Sequence, residues 1–322
     1  MERCDFCGEV AELLEMADGY GCRRCFDGSS STCIICSLPL GEESDTADPA
    51  TDQPLCHPCW NNAKPRPLVE NAVGRSVGYE FEFLFRRSEL SLDLIQELRN
   101  YGSMRYDGSL RGNNHHPVAI ELATHYGSAE PLWAMLHSLC DIFAQQWFAH
   151  NDSCGLHLHL GMNGSTELER KRLYRWWRLL EPAIVLLVEP ARLTNAYCRS
   201  ARRVNYNEDR YAALNTSCYR SSHAARTFEV RLHHMTFDEQ IIRGWTQFLL
   251  SFFDTFTVVR LTIALRQNIA QMTVREKLIF MMQQTKAPLS LWKYAVKTMR
   301  TNYSQRDLDL MLRTPDYYQE AA

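Results

Sequence analysis

In the segment Val77-Gly-Tyr-Glu-Phe-Glu-Phe-Leu-Phe85, apolar and acidic side chains alternate from Tyr79 to Phe83. Side chains on a β-strand point to opposite faces in turn, so the two glutamates share one face and the aromatic rings share the other. Leu156-His-Leu-His-Leu160 repeats the alternation with imidazoles, and Phe228-Glu-Val-Arg-Leu-His233 repeats it with a mixed polar set. Residues 118–123 place a single glutamate between apolar neighbours. The pattern predicts an antiparallel sheet with one apolar face and one polar face.

The predicted polar face carries only Glu, His and Arg. Its residues are Glu80, Glu82, Glu121, His157, His159, Glu229, Arg231 and His233. On any single strand, a face that merely contacts water is the simpler explanation. Taken together, the polar faces of the four strands contain no lysine. Their carboxylates and imidazoles are the side chains that bind divalent cations, and arginine is the side chain that commonly binds phosphate. A cation would also remove carboxylate repulsion of about 1 kcal/mol per opposed pair, so the face is predicted to be a metal–phosphate site.

The pattern along the whole chain predicts an α+β domain whose helices lie mainly towards the C-terminus. Helical spacing occurs at 91–101, at 129–148, at 166–188 with an interruption at Pro182, and from Phe237 onward with breaks near Thr273, Pro288 and Ser304. We expect four parts: a zinc-binding module at 1–60, a linker at 61–73, a catalytic sheet domain at 74–236 and a helical C-terminal part at 237–322.

The N-terminal part contains eight of the 12 cysteines, arranged as four Cys-x-x-Cys pairs. The two pairs of the first repeat are separated by 14 residues and those of the second by 19. Two such pairs can enclose one zinc ion, so we expect two structural zinc ions in a small module of the zinc-ribbon or treble-clef kind. Sequential pairing gives the ligand sets Cys4, Cys7, Cys22 and Cys25, and Cys33, Cys36, Cys56 and Cys59. The alternative is a cross-braced arrangement, in which the first pair joins the third and the second joins the fourth, and the spacing does not exclude it.

The bulk composition is that of an ordinary globular protein. The net charge of −3 and the isoelectric point near 6.4 indicate neither nucleic acid nor a membrane as a partner. The longest apolar run, 182–188, is too short to span a bilayer. The N-terminus is charged and rich in cysteine, unlike a signal peptide, so we expect a cytoplasmic protein.

Five segments resemble, in the same order, the motifs of the amidoligase family within the glutamine synthetase-like carboxylate–amine ligase superfamily. The segments are Gly78-Tyr-Glu-Phe-Glu-Phe83, Asp107-Gly-Ser-Leu110 followed by Glu121, Asn151-Asp-Ser-Cys-Gly-Leu-His-Leu-His159, Arg210-Tyr-Ala-Ala-Leu-Asn215, and Thr227-Phe-Glu-Val-Arg231. They lie between residues 74 and 235. The resemblance implies a glutamine synthetase-like antiparallel sheet. It also implies ATP-dependent formation of an amide bond, peptide-like or isopeptide, through an acyl phosphate.

The resemblance further implies a role for each matching residue. Mg²⁺ or Mn²⁺ would be bound by Glu80, Glu82 and Glu121, and a second metal position would be completed by His157 and Glu229. Arg231 would stabilise the transferring phosphoryl group, and His159 would lie near the phosphates or the substrate carboxylate.

Three other positions complete the predicted site. By the same resemblance, Arg210 and Asn215 would contact ATP or the substrate. The amine must be neutral when it attacks, and Asp107 is one candidate for the base that deprotonates it. Asp107 fits equally well as a metal ligand acting through water or as a turn residue before Gly108.

The expected substrates are a carboxylic acid and an amine, and either could be a protein or another macromolecule docked by the zinc module. Two other functions remain open. One is a zinc-module binding protein with a degenerate ligase domain, and the other is a phosphotransferase of the guanidino-kinase kind on the same scaffold. The sequence assigns no role to His115, His116, His223 or His233.

Overall fold

A computed structural model of the chain describes residues 65–69, 74–86, 92–113, 115–116, 118–145, 148–219 and 226–314. Before them it describes only six short strands, which pair in twos: β1 (Glu2–Arg3), β2 (Val10–Ala11), β3 (Leu13–Met16), β4 (Gly19–Cys22), β5 (Thr46–Ala47) and β6 (Pro54–Leu55). The predicted zinc ligands lie outside the described residues, apart from the backbone of Cys22. The zinc module therefore stays a prediction.

The centre of the fold is one open, antiparallel sheet of six strands. They are β7 (Val77–Phe85), β8 (Gly102–Tyr106), β9 (Val118–Thr124), β10 (Gly155–Gly161), β11 (Leu214–Asn215) and β12 (Thr227–His234), in the spatial order β11–β12–β10–β7–β9–β8. The antiparallel sheet and the mixed α and β composition are confirmed, and the four predicted strands agree with the structure to within one residue. The likeness of this sheet to glutamine synthetase stays a prediction.

Eight α-helices are found among the described residues. They are α1 (Leu92–Arg99), α2 (Ala129–Gln145), α3 (Glu167–Ile184), α4 (Glu239–Val258), α5 (Ile263–Gln271), α6 (Val274–Gln284), α7 (Leu289–Asn302) and α8 (Gln305–Arg313). The predicted breaks near Thr273, Pro288 and Ser304 are confirmed, because these residues are the N-caps of α6, α7 and α8. No helix in the described ranges is both long enough and apolar enough to cross a membrane.

The chain divides into two compact units. The first contains Met1–Leu68, Glu82–Tyr126 and Gln146–Ala149, and the second contains Val69–Phe81, Gly127–Gln145 and His150–Ala322. In the second unit, the predicted aromatic face of β7 is buried: the Phe81 ring lies 5.3 Å from the Phe143 ring, between ring centres.

The rest of the second unit's core joins α3 to α4. The ring of Trp176 lies 4.8 Å from that of Phe256, and the ring of Trp177 lies 5.6 Å from that of Phe252. All four side chains are fully buried. Burying a large aromatic side chain contributes roughly 2–3 kcal/mol, so these contacts stabilise the packing of α3 against α4.

In the first unit, the end of β7 and the β8–β9 pair form a separate core. Phe83 packs edge-on against Phe148 at 5.1 Å, and the backbone of Leu84 pairs with that of Ala149. In the β8–β9 register Arg105 stands opposite Glu121. This register brings the Arg105 guanidinium next to the Glu121 carboxylate on the neighbouring strand.

Candidate active site

A cluster of two glutamates and two histidines occupies the polar face of the second unit. We call Glu80, His157, His159 and Glu229 the His–Glu cluster. The strand register assembles it, because His157 pairs with Glu80 across β10 and β7, and His159 pairs with Glu229 across β10 and β12. Three adjacent strands therefore supply the four side chains; the alternation predicted their shared polar face, and the strand order shows that they are neighbours.

The distances within the cluster are those of direct contact. The Nδ1 atom of His157 lies 3.3 Å from a carboxylate oxygen of Glu80 and 3.4 Å from one of Glu229. The Nε2 atom of His159 lies 3.0 Å from the other oxygen of Glu80. The opposite ring nitrogen of His159, Nδ1, is 2.9 Å from the Thr227 hydroxyl, which orients the imidazole.

Arg231 lies at the edge of the cluster, two residues beyond Glu229 on the same strand. Its guanidinium is hydrogen-bonded to the Glu229 carboxylate and also donates from Nε to the Tyr197 carbonyl at 3.1 Å. The Arg231 side chain is 12% exposed, so a positive group is held partly open to solvent beside the buried carboxylate.

Both glutamates of the cluster favour the ionised form. Burial alone would raise the pKa of Glu80, but the positive charge of His159 and hydrogen bonds from both histidines hold that pKa well below its usual value. Burial likewise opposes ionisation of Glu229, yet the Arg231 guanidinium keeps the Glu229 pKa below its ordinary value although Glu80 acts in the other direction. The buried Glu229 carboxylate and the half-buried Glu80 carboxylate therefore both remain charged.

Three side chains of the cluster can hold a divalent cation. Glu80, His159 and Glu229 each offer one ligand atom, and these atoms lie within 4.8 Å of one another. Ligand bonds to such a cation are about 2.1 Å long, so opposite ligands stand roughly 4.2 Å apart and small side-chain rotations would suffice. Two oxygens and one imidazole nitrogen suit Mn²⁺ better than Mg²⁺.

A second group of cation-type ligands belongs to the first unit. Glu82, Asp107 and Glu121 each offer a carboxylate oxygen, and these also lie within 4.8 Å of one another. Arg105 donates from Nε to Glu121 at 2.6 Å, and the Asp107 carboxylate accepts the Ser109 backbone N–H at 2.8 Å. The all-oxygen donor set suits Mg²⁺ or Mn²⁺. Asp107 is therefore both a turn residue and a neighbour of two glutamates.

The structure divides the predicted metal ligands into two groups, and these groups differ from the two ligand sets that the resemblance implies. His159 joins Glu80 and Glu229 as a possible cation ligand, whereas His157 is 1% exposed and bridges the two carboxylates. Glu82 is grouped with Glu121, as the resemblance implied, and Asp107 accompanies them. The role of each residue stays a prediction.

The two residues predicted to contact ATP or substrate occupy different surroundings. Arg210 is exposed, and its guanidinium lies 5.1 Å from the centre of the Tyr211 ring. Asn215 is 3% exposed and donates from Nδ2 to a Glu229 oxygen at 2.7 Å. Arg210 is therefore accessible to a ligand, while the Asn215 amide is engaged inside the protein.

Cys218 also belongs to these surroundings, although the sequence pattern did not indicate it. Its Sγ atom lies 3.4 Å from a Glu229 oxygen and 3.1 Å from the Asn215 side-chain nitrogen. Burial, followed by the charge of Glu229, raises the pKa of this thiol, so it stays protonated and can donate to the carboxylate. Only the short interval between Asn215 and Cys218 could have suggested this contact.

The other histidines of the predicted set separate by exposure. His115 is exposed and His116 is half-buried, in a segment whose Asn113 side chain accepts both of their backbone N–H groups. His233 is fully buried, and its ring stacks on His234 with 4.4 Å between ring centres. His223 lies outside the described residues.

These surroundings can neutralise a polyanion and exclude water from part of it. The His–Glu cluster offers a cation position, Arg231 offers a guanidinium, and all five side chains project from strands of the sheet. Comparison with known proteins gave no match to a protein-family model and none to a curated protein.

Proposed function

We propose that this protein is an ATP-dependent carboxylate–amine ligase that forms an amide bond through an acyl phosphate, in the cytoplasm. One observation carries the proposal: Glu80, His159 and Glu229 converge from three adjacent strands, beside the guanidinium of Arg231. Phosphoryl transfer requires cations and an arginine around the phosphate and little covalent help from protein, which matches these residue types. The order of the five motifs supports the same reaction class.

The proposed reaction has two steps. A carboxylate oxygen of the acid attacks the γ-phosphorus of ATP, so the bond between that phosphorus and the β–γ bridging oxygen breaks and ADP leaves. The amine then attacks the acyl carbon, and the carbon–oxygen bond breaks to release phosphate. The proton lost by the amine passes to a base, for which Asp107 is the candidate.

The donor sets fit the metal that this chemistry needs. Glu80, His159 and Glu229 would hold one Mn²⁺ or Mg²⁺ ion, and Glu82, Asp107 and Glu121 would hold another. Such ions neutralise charge on the phosphate oxygens. If Asp107 is a ligand, then the base is another group or water, and a pH–rate profile of its variants separates these roles.

The chain's own residues would perform the remaining tasks. Arg231 would leave part of its contact with Glu229 to stabilise the transferring phosphoryl group. His157, held between two carboxylates, would keep them at a fixed separation. Arg210 would contact the nucleotide or the substrate. We further propose that the predicted zinc module docks a macromolecular substrate.

Trapping with hydroxylamine tests the reaction class without knowledge of the amine. Hydroxylamine attacks an acyl phosphate and gives a hydroxamate, which forms a coloured iron complex. We expect the protein with ATP, Mg²⁺ and a pool of carboxylic acids to form hydroxamate, and the Arg231→Ala variant to lose at least about 100-fold in rate. Arg260→Ala, which removes an exposed arginine outside the site, is the control.

The alternatives give different results in the same mixture. A guanidino-kinase-like phosphotransferase would form no hydroxamate, but it would release ADP and a phosphorylated product once a guanidino compound is added as the phosphoryl acceptor. A degenerate domain would neither bind nor turn over ATP. Either result would overturn the ligase proposal.

A further inference from the structure

The Glu229 carboxylate accepts a hydrogen bond from an asparagine, Asn215, on the neighbouring strand β11. The strand β11 contains only Leu214 and Asn215, and its register places Asn215 directly opposite Glu229. Each of these two residues is 3% exposed, and the Asn215 Nδ2 atom donates to Oε2 of Glu229 at 2.7 Å. One oxygen of the buried carboxylate is thus occupied by a neutral donor.

The orientation of the Asn215 amide is itself fixed. Its Oδ1 atom accepts the Ser217 backbone N–H at 2.9 Å and the Ser217 hydroxyl at 2.6 Å. With two donors directed at Oδ1, the amide must turn its Nδ2 atom towards Glu229. Ser217, in the turn after β11, therefore fixes the Asn215 amide so that Nδ2 points towards Glu229 in the protein without a ligand.

The contacts of Glu229 are divided between its two oxygens. Asn215 and Cys218 contact Oε2, whereas Arg231 and His157 contact Oε1. Oε1 is thereby turned towards the histidine side of the cluster. A neutral amide can fix Oε2 without cancelling the negative charge that attracts a cation, which a lysine in the same place would do.

We infer that Asn215 is a positioning residue: it holds Oε2 of Glu229 so that the carboxylate presents Oε1 to a divalent cation shared with Glu80 and His159. This inference rests on the cation site of the proposed function. It differs from the role that the resemblance implies, because a buried amide whose oxygen and nitrogen are both engaged internally does not face ATP or substrate. Loss of a residue that hydrogen-bonds a metal ligand, without binding the metal itself, typically lowers metal affinity by about 10- to 100-fold.

Binding of Mn²⁺ to the full-length protein without nucleotide tests the inference. Pulsed electron paramagnetic resonance detects ¹⁴N coupling only in Mn²⁺ that is bound to a nitrogen ligand, so it reports the site with His159 and not the carboxylate group of the first unit. We expect Asn215→Ala to weaken the ¹⁴N-coupled binding by about 10- to 100-fold. Raised Mn²⁺ should restore the coupled signal to the wild-type amplitude, which a misfolded site would not allow.

Two further variants keep the test decisive. Ser217→Ala retains Asn215 but removes one of its two anchors, and we expect a several-fold loss of affinity, on the order of 3-fold. This variant decides the matter if Asn215→Ala does not fold. The matched control is Asn205→Ala, because Asn205 also donates to a glutamate, Glu208, at 2.7 Å, but on the exposed surface. We expect that control to bind like wild type.

The outcomes separate this inference from the ligase proposal. If the folded Asn215→Ala variant binds ¹⁴N-coupled Mn²⁺ as tightly as the wild type, the positioning role is overturned and the ligase proposal stands. If Asn215→Ala does not fold, the same result in Ser217→Ala has the same meaning. Weakened binding in the variants, with no hydroxamate from the wild type, supports the positioning role and overturns the ligase. Absence of ¹⁴N-coupled Mn²⁺ in the wild type overturns both.

Discussion

At the scale of single residues, buried charge is the most informative feature of this protein. Glu80 and Glu229 approach the same imidazole and lie in surroundings where burial favours a neutral carboxyl group. Histidine and arginine neighbours nevertheless keep both ionised. Buried ion pairs of this kind contribute little to stability after desolvation, so a functional role is the better explanation for them.

Removal of a predicted cation ligand should abolish turnover without unfolding the protein. We expect Glu229→Ala and Glu82→Ala each to lower the rate of ATP-dependent hydroxamate formation by at least about 100-fold, because each removes charge from a cation position. Circular dichroism checks the fold. Glu208→Ala and Glu97→Ala are matched exposed controls. Wild-type rates in both Glu229→Ala and Glu82→Ala would contradict the metal assignment.

At the scale of elements, the alternating strands were predictable and their pairing was not. The period of two in Leu156-His-Leu-His-Leu160 is enough by itself to place both imidazoles on one face of β10. The contact between Asn215 and Glu229 depends on the register of a two-residue strand, which local sequence does not determine. Residues 102–106, Gly-Ser-Met-Arg-Tyr, form β8 because they pair with β9, although their own propensity for strand is weak.

The end of β12 carries a buried histidine, His233, and a half-buried one, His234, which should make the free energy of unfolding depend on pH. Burial, followed by the charges of His150 and Arg192, lowers the pKa of His234 to about 4. The ring also faces Glu189, whose carboxylate is 4.0 Å from Nε2. From pH 6.5 down to 4 the unfolded chain binds a proton at His234 that the folded chain does not bind. Stability therefore falls over that range, by about 3 kcal/mol for this residue.

Urea unfolding at a series of pH values between 7.5 and 4.5 measures this effect. The buried His233, whose pKa lies well below its ordinary value, acts in the same direction. We expect His234→Gln to be less stable than wild type at pH 7.5, because ring stacking is lost, but to lose less stability on acidification. His115→Gln, at an exposed position, is the control. Parallel pH profiles for wild type and His234→Gln would contradict the prediction.

At the scale of the whole molecule, composition and motif order predicted the class of fold and the residue types of the site. They did not predict the partition of the cation-type residues into Glu80, His159 and Glu229 on the one hand and Glu82, Asp107 and Glu121 on the other. Asp107 joins its group through the turn after β8, a strand that the sequence did not reveal. Cys218 joins its group through the turn after β11 for the same reason.

The paired cysteines should hold two structural zinc ions. Metal analysis of carefully reduced protein should return about two zinc per chain. Cys4→Ser and Cys33→Ser should each lower the zinc content by about one, because each removes a ligand from a different predicted set. Cys140→Ser, at a buried thiol of the described fold, should leave the zinc content unchanged. A value near zero in the wild type would exclude the zinc module.

The most direct test follows the carboxylate oxygen itself. An acid that supports hydroxamate formation is labelled with ¹⁸O in both carboxyl oxygens and incubated with the protein, ATP, Mg²⁺ and an amine. In an acyl phosphate one oxygen of the acid bridges carbon and phosphorus, and it leaves with phosphate when the amine attacks carbon. We expect mass spectrometry to find one ¹⁸O atom in each phosphate released. Phosphate without the label would contradict the acyl-phosphate mechanism.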